Sequence, residues 1–214
     1  MKESTMSAPR RALVLVDVQQ EYFDGPLNIE YPPREESLAR ILQSLDVAKQ
    51  AELPVVVVRH QYPEGAPAFV AGTPGYELQP EVKARTGDAA KHITKNLSSV
   101  FAGTDLADWL RANDIDTLTL VGYMTNNCVL GSAADAERLG FTIEVLSDAT
   151  GAIHMANEAG AVSARQVHET LMVLLHSNWA AVADTEAWAG AVSGGQELPK
   201  SDLVTTAAKG RADH

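Results

Sequence analysis

Long apolar runs are missing from this sequence. No stretch is long enough to span a bilayer, and the first residues, Met1 to Ser7, lack the hydrophobic segment of a secretory signal. Cysteine is nearly missing too. Cys128 is the only one in 214 residues, which excludes an internal disulfide framework, and no CxxC or Cys/His spacing suggests structural zinc. Basic charge is scarce: 17 lysines and arginines face 28 acids, for a net charge of −11, which disfavours nucleic acid or an anionic membrane as partner. GxGxxG and GxxxxGK[ST] signatures are lacking, so neither a dinucleotide fold nor a P-loop is indicated, and Gly72 to Gly75 reads as a turn. No internal repeat is found. These exclusions leave a globular protein, expected in the cytoplasm, where a free thiol stays reduced.

Short, branched apolar runs recur at intervals. Residues 12–18 and 55–58 read as buried strands, and residues 35–51 carry Leu38, Ile41, Leu42, Leu45 and Ala48 on one helical face. Further strands are expected near 91–94, 117–122, 142–147 and 180–183. Helices are expected at 104–113, from about Asn127 to Gly140, across about 156–175, and from Thr185. Alternation of this kind predicts a single-domain, three-layer α/β/α fold with a mostly parallel sheet, over residues 11–192. Residues 1–10 form a tail. Residues 193–214 are polar and unpatterned, an arm or a disordered tail. Residues 61–89, punctuated by glycine and proline, read as a long excursion over the surface, and such loops usually serve function.

The chemically capable residues sit at strand ends. Asp17, His60, Lys95 and Cys128 all lie at or just after the carboxyl ends of expected strands, where ligands bind in parallel sheets. A lone cysteine is most often a small buried hydrophobe. Cys128, however, stands where a strand runs into a helix, and a helix N-terminus favours thiolate. Asp17 closes an aliphatic strand, where an unpaired carboxylate is costly. With Lys95 they make a carboxylate, a cation and a nucleophile.

On these residues the chain resembles the isochorismatase-like cysteine hydrolases. The matching segments are Leu15-Val-Asp-Val-Gln-Gln-Glu-Tyr-Phe-Asp-Gly25, Lys95 with Phe101-Ala-Gly-Thr-Asp-Leu106, Gly122-Tyr-Met-Thr-Asn-Asn-Cys-Val129 with Ala134-Asp-Ala136, and Ser147-Asp-Ala149. The resemblance spans roughly residues 10–190 and implies a triad. Cys128 is the nucleophile, Asp17 the proton acceptor and donor, and Lys95 the charge that steadies both. It also implies a cis peptide between Tyr123 and Met124, an oxyanion hole from the Met124 and Cys128 N–H groups, and Gln19 lining the site through its amide. Phe23 and Tyr123 are placed with it as substrate-binding residues, and Tyr22 and Trp188 either wall the pocket or fill the core.

The resemblance also has limits. Nicotinamidases hold zinc with an Asp-x-His pair after the second strand, where this sequence has Arg59-His60-Gln61-Tyr62. No metal and no cofactor are therefore expected. His60 either contacts substrate or caps a strand. His92, His154, His168 and His176 are read as structural or surface residues. True isochorismatases lack the cysteine, since a vinyl ether offers no acyl carbon to a thiolate. Cys128 thus points to metal-independent hydrolysis of an amide, ureide or lactam-like C–N bond through a thioester. The alternatives are vinyl-ether hydrolysis through Asp17, or a non-catalytic small-molecule-binding homologue. The family implies a homo-oligomer, dimer or larger, with the 61–89 and 150–160 segments as contact candidates.

Overall fold

The computed structural model describes residues 8–213. The first strand, β1 (Arg11–Val16), is buried at every position. Its odd and even side chains enter different cores, which is why it reads as a continuous apolar run. The short helix α1 (Glu21–Asp24) and the long α2 (Arg34–Gln50) follow, then β2 (Val55–His60), α3 (Pro80–Arg85) and β3 (Lys91–Lys95). Next come α4 (Leu106–Ala112), β4 (Thr117–Tyr123), α5 (Leu130–Leu139) and β5 (Thr142–Gly151). A small hairpin, β6 (Met155–Asn157) and β7 (Gly160–Val162), precedes α6 (Ala164–Asn178), β8 (Ala181–Ala183), α7 (Thr185–Ser193) and α8 (Leu203–Asp213).

Six strands form one sheet in the order β3-β2-β1-β4-β5-β8, with every neighbouring pair parallel. One face packs Ala12, Val14 and Val16 with Leu106, Leu110, Ala133 and Leu175, drawn from α4, α5 and α6. The other packs Leu13 and Leu15 with Ile41, Leu45, Val82 and Trp188, from α2, α3 and α7. This is the three-layer arrangement the alternation predicts. Strand order reverses between β1 and β4, so the crevice beyond their carboxyl ends is the switch point where parallel sheets bind ligands.

Several boundaries differ from expectation. The helix read from 156 begins at Ala164, where Ser163 accepts from the Gln166 N–H and Gln166 reaches back to the Ser163 N–H. Residues 155–162 form the hairpin instead. The 61–89 excursion holds a 3₁₀ turn at Pro74–Tyr76 and the helix α3. The segment from 193 is an arm carrying α8, none of whose residues is buried. Of the N-terminal tail, residues 1–7 lie outside the described residues, while the Arg10 N–H donates to Asp116 at 3.0 Å. Gly140, expected to end the cysteine helix, does so with a left-handed φ of 78°.

Candidate active site

Asp17 leaves β1 with φ at 50°, in the left-handed region that costs a non-glycine residue on the order of 1 kcal/mol. Its N–H donates to Val58 O (3.1 Å), and the Gln19 N–H turns back to its carbonyl (2.7 Å). The neighbouring strand makes room for this turn. Gly122, at φ 103°, lies so close that a Cβ there would stand 2.2 Å from Val16 O. Lys95 ends β3 directly opposite His60 on β2. Cys128 lies in one π-helical turn, Thr125–Val129, between β4 and α5. The topology thus delivers a carboxylate, an ammonium and a thiol to one rim.

Their geometry is close. Lys95 Nζ is 2.7 Å from Asp17 Oδ2 and 3.2 Å from Cys128 Sγ. It also touches His60 Nδ1 at 2.9 Å and donates to Leu97 O at 3.1 Å. Relative exposures of Asp17, Lys95 and Cys128 are 0%, 3% and 1%, so all three are buried. Burial pulls the Lys95 ammonium down, but Asp17 and Cys128 outweigh it and the net direction is up. For Cys128 burial dominates, Asp17 adds to it, and Lys95 opposes, leaving the thiol pushed up to about 12. The physical reason is charge count: Asp17 and Lys95 already cancel, so a thiolate would be a second anion served by one cation. This reverses the sequence expectation of a resting thiolate. Dipole stabilisation at a helix start is smaller than the cost of burying an extra anion.

Residues 11–188, which carry all three of these groups, match the family model of the Isochorismatase domain. The chain belongs to the isochorismatase family. A crystal structure of an isochorismatase-family protein from Burkholderia xenovorans LB400 is 44% identical, with a TM-score of 0.94 over 97% of this chain and 99% of that one. The secreted isochorismatase effector of Verticillium dahliae is 35% identical over 148 residues, covering 69% of this chain and 76% of its own. The nicotinamidase/pyrazinamidase of Mycobacterium tuberculosis is 30% identical, covering 67% of this chain and 87% of its own. Isochorismatase-family members of these kinds are hydrolases.

Within this isochorismatase-family site, three potential ligand atoms, from Asp17, His60 and Cys128, lie within 4.8 Å of one another. Lys95 Nζ contacts all three side chains. A divalent ion would have to displace that ammonium, so the donor set does not fit a resident metal. The Tyr123–Met124 peptide is cis, and the Met124 N–H has no acceptor among the described residues. Met124 O accepts from Asn127 (3.2 Å) and Val129 (3.1 Å), which fixes the turn around Cys128.

Two residues placed at the substrate by sequence have their polar groups spent elsewhere. The Gln19 amide donates to His60 O (3.0 Å) and Tyr76 O (2.8 Å) and accepts from the His60 N–H (2.7 Å). It therefore clamps the end of β2 to the loop and has no free amide. Tyr123 is fully buried and its hydroxyl meets Ser37 Oγ at 2.8 Å, under α2, so only its ring faces the aromatic wall. Phe23 is half-buried, edge-on to Tyr123 at 5.8 Å. Trp188 lies in the core beneath the sheet, donating to Thr119 and Glu144.

Sequence reasoning missed Phe69, Tyr62 and the props of the cysteine turn. Phe69, buried at φ 54°, packs against Tyr22 and His60 at 5.3 Å each, and Tyr62 lies edge-on to His60 at 4.4 Å. Two aromatics in a Gly/Pro-rich loop were the available signal. His168, read as structural, holds the turn directly: it bonds Thr125 Oγ1 (3.0 Å) and Ser147 O (3.0 Å). Ser132 Oγ donates to Cys128 O (2.6 Å) and accepts from the Val100 N–H (3.0 Å), tying the Lys95 loop to the cysteine turn.

Proposed function

We propose that this isochorismatase-family hydrolase cleaves a C–N bond of a small amide, ureide or lactam-like substrate through a Cys128 thioester, with no metal. The observation that carries this reading is the buried Lys95 ammonium in contact with both Asp17 and Cys128. Asp17 Oδ1 takes no hydrogen bond among the described residues, and a carboxylate oxygen of Asp17 lies within 4.8 Å of Cys128 Sγ. As Sγ attacks the acyl carbon, the thiol proton passes to Asp17, so the site holds one anion and one cation before and after the transfer. The carbonyl oxygen gains charge and is met by the Met124 and Cys128 N–H groups. Asp17 returns the proton to the departing nitrogen, the C–N bond breaks, and the thioester forms. Water, deprotonated by Asp17, then attacks the thioester carbon, releasing the acid and regenerating the thiol. The name of the Mycobacterium tuberculosis relative, a nicotinamidase/pyrazinamidase, supports a C–N substrate class. A reduced cytoplasm suits the free thiol.

A second reading is vinyl-ether hydrolysis with Asp17 as the proton donor, favoured by the likeness to the Verticillium dahliae isochorismatase effector. Replacement of Cys128 separates the two. A panel of primary amides, ureides and lactams is offered to the wild type and to Cys128→Ala, with ammonia or amine release measured. The thioester route requires release by the wild type and at least about a thousandfold loss in the variant. Retained turnover transfers the reaction to Asp17 alone.

A further inference from the structure

We propose that His60 is a positioning residue: its Nδ1 fixes the Lys95 ammonium between Asp17 and Cys128, and its Nε2–H is reserved for a substrate oxygen. The first half stands on geometry alone, and the second rests on the amidohydrolase reading. An ammonium is a donor only. At 2.9 Å from Lys95 Nζ, Nδ1 must be the acceptor and therefore carries no proton. In a neutral imidazole the proton then sits on Nε2. That nitrogen is buried and has no partner among the described residues, which is costly unless a ligand supplies one.

The ring has little freedom to relieve this. Both backbone groups of His60 are held by Gln19, and the ring is flanked by Tyr62 at 4.4 Å and Phe69 at 5.3 Å. An imidazolium would set a second cation against the ammonium, and burial together with Lys95 hold the ring neutral against the opposing pull of Asp17. Around the three Lys95 protons stand four acceptors: Asp17, Cys128, His60 and Leu97 O. Removing His60 leaves the three protons to Asp17, Leu97 O and the weakly accepting Cys128 sulfur, and the ammonium loses the nitrogen acceptor that sets its present orientation. Such an arrangement suits a substrate that carries a second oxygen, a carboxylate or another carbonyl, near the scissile bond.

Two measurements test this. Nitrogen-15 NMR of the imidazoles at pH 7, with His60 assigned by its loss in His60→Asn, should show a bare Nδ1 and a protonated Nε2. A proton on Nδ1, or a charged ring, overturns the positioning half whether or not any amide is hydrolysed. Kinetics on an amide found to be a substrate use His60→Leu, which removes both roles, and His60→Asn, whose Oδ1 takes the place of Nδ1. We expect kcat to fall about a hundredfold in His60→Leu and to return to within about tenfold of wild type in His60→Asn, with KM still raised about tenfold or more. Equal kcat in the two variants overturns the positioning role, and an unchanged KM in His60→Asn overturns the donor role.

Discussion

Replacing Lys95 with methionine keeps an unbranched side chain as far as Cε and removes the ammonium with its charge and donors. In the folded protein that charge sits 2.7 Å from Asp17, with both side chains 0% exposed. Breaking a buried pair by removing one partner costs about 3–5 kcal/mol, because the remaining charge is left without compensation. For a domain of this size that corresponds to a fall in Tm of about 6–20 °C. Removing the second charge as well takes away the cause, so Asp17→Asn on the Lys95→Met background should recover most of the loss. Urea unfolding of the wild type, both single variants and the double variant at pH 7 gives the coupling directly. The double variant should be more stable than Lys95→Met alone. If it is less stable, by the sum of the two single effects, the two groups are not energetically paired and the charge count assigned to this site is wrong.

Alkylation of Cys128 should be slow at pH 7 and rise steadily through pH 10. A thiol pushed up to about 12 holds more than about a thousandfold less thiolate at pH 7 than a free cysteine, and burial adds to the delay. A plateau near pH 8.5 or below would show instead that Lys95 wins over burial and Asp17. Prolonged chelation should leave hydrolysis unchanged, with far less than one zinc per chain by metal analysis; activity lost to a chelator and restored by zinc would place a metal where Lys95 now stands. Light scattering at micromolar concentration should give at least twice 22.9 kDa, since α8 has no buried residue and Val173, Leu174, Leu203 and Val204 are exposed. A monomer would mean that this surface is tolerated bare.

The fold was legible because strands buried on both faces read as short continuous runs, as at Leu13 to Val16 and Val55 to Val58, and the spacing between them fixed the alternation. Asp17, Lys95 and Cys128 were legible because strand ends in a parallel sheet share one rim. The environment of each was not. Whether a thiol is held as thiolate depends on net charge within a few ångströms, and that count needed the Asp17–Lys95 contact. Gln19 looked like a free amide because sequence cannot show that the His60 backbone and Tyr76 O already use it. The Phe69 and Tyr62 wall was hidden for the same reason: a loop without periodicity gives no sign of which side chains fold inward. The helix expected across about 156–175 takes in Ala156, Ala159 and Ala161, good helix formers, but residues 155–162 form the hairpin. The reciprocal cap at Ser163 and Gln166 sets the start of α6 instead.

The central claim, that Cys128 carries the acyl group during turnover, is tested most directly by intact-protein mass spectrometry on samples acid-quenched within milliseconds of mixing with a hydrolysed amide. Cys128 is the only cysteine in the chain, so the site of an adduct is unambiguous. The mechanism predicts a mass increase equal to the acyl group less one hydrogen, mapped to the Cys128 peptide and absent from Cys128→Ala. Multiple turnovers with no adduct at any quench time, together with undiminished hydrolysis by Cys128→Ala, would contradict it.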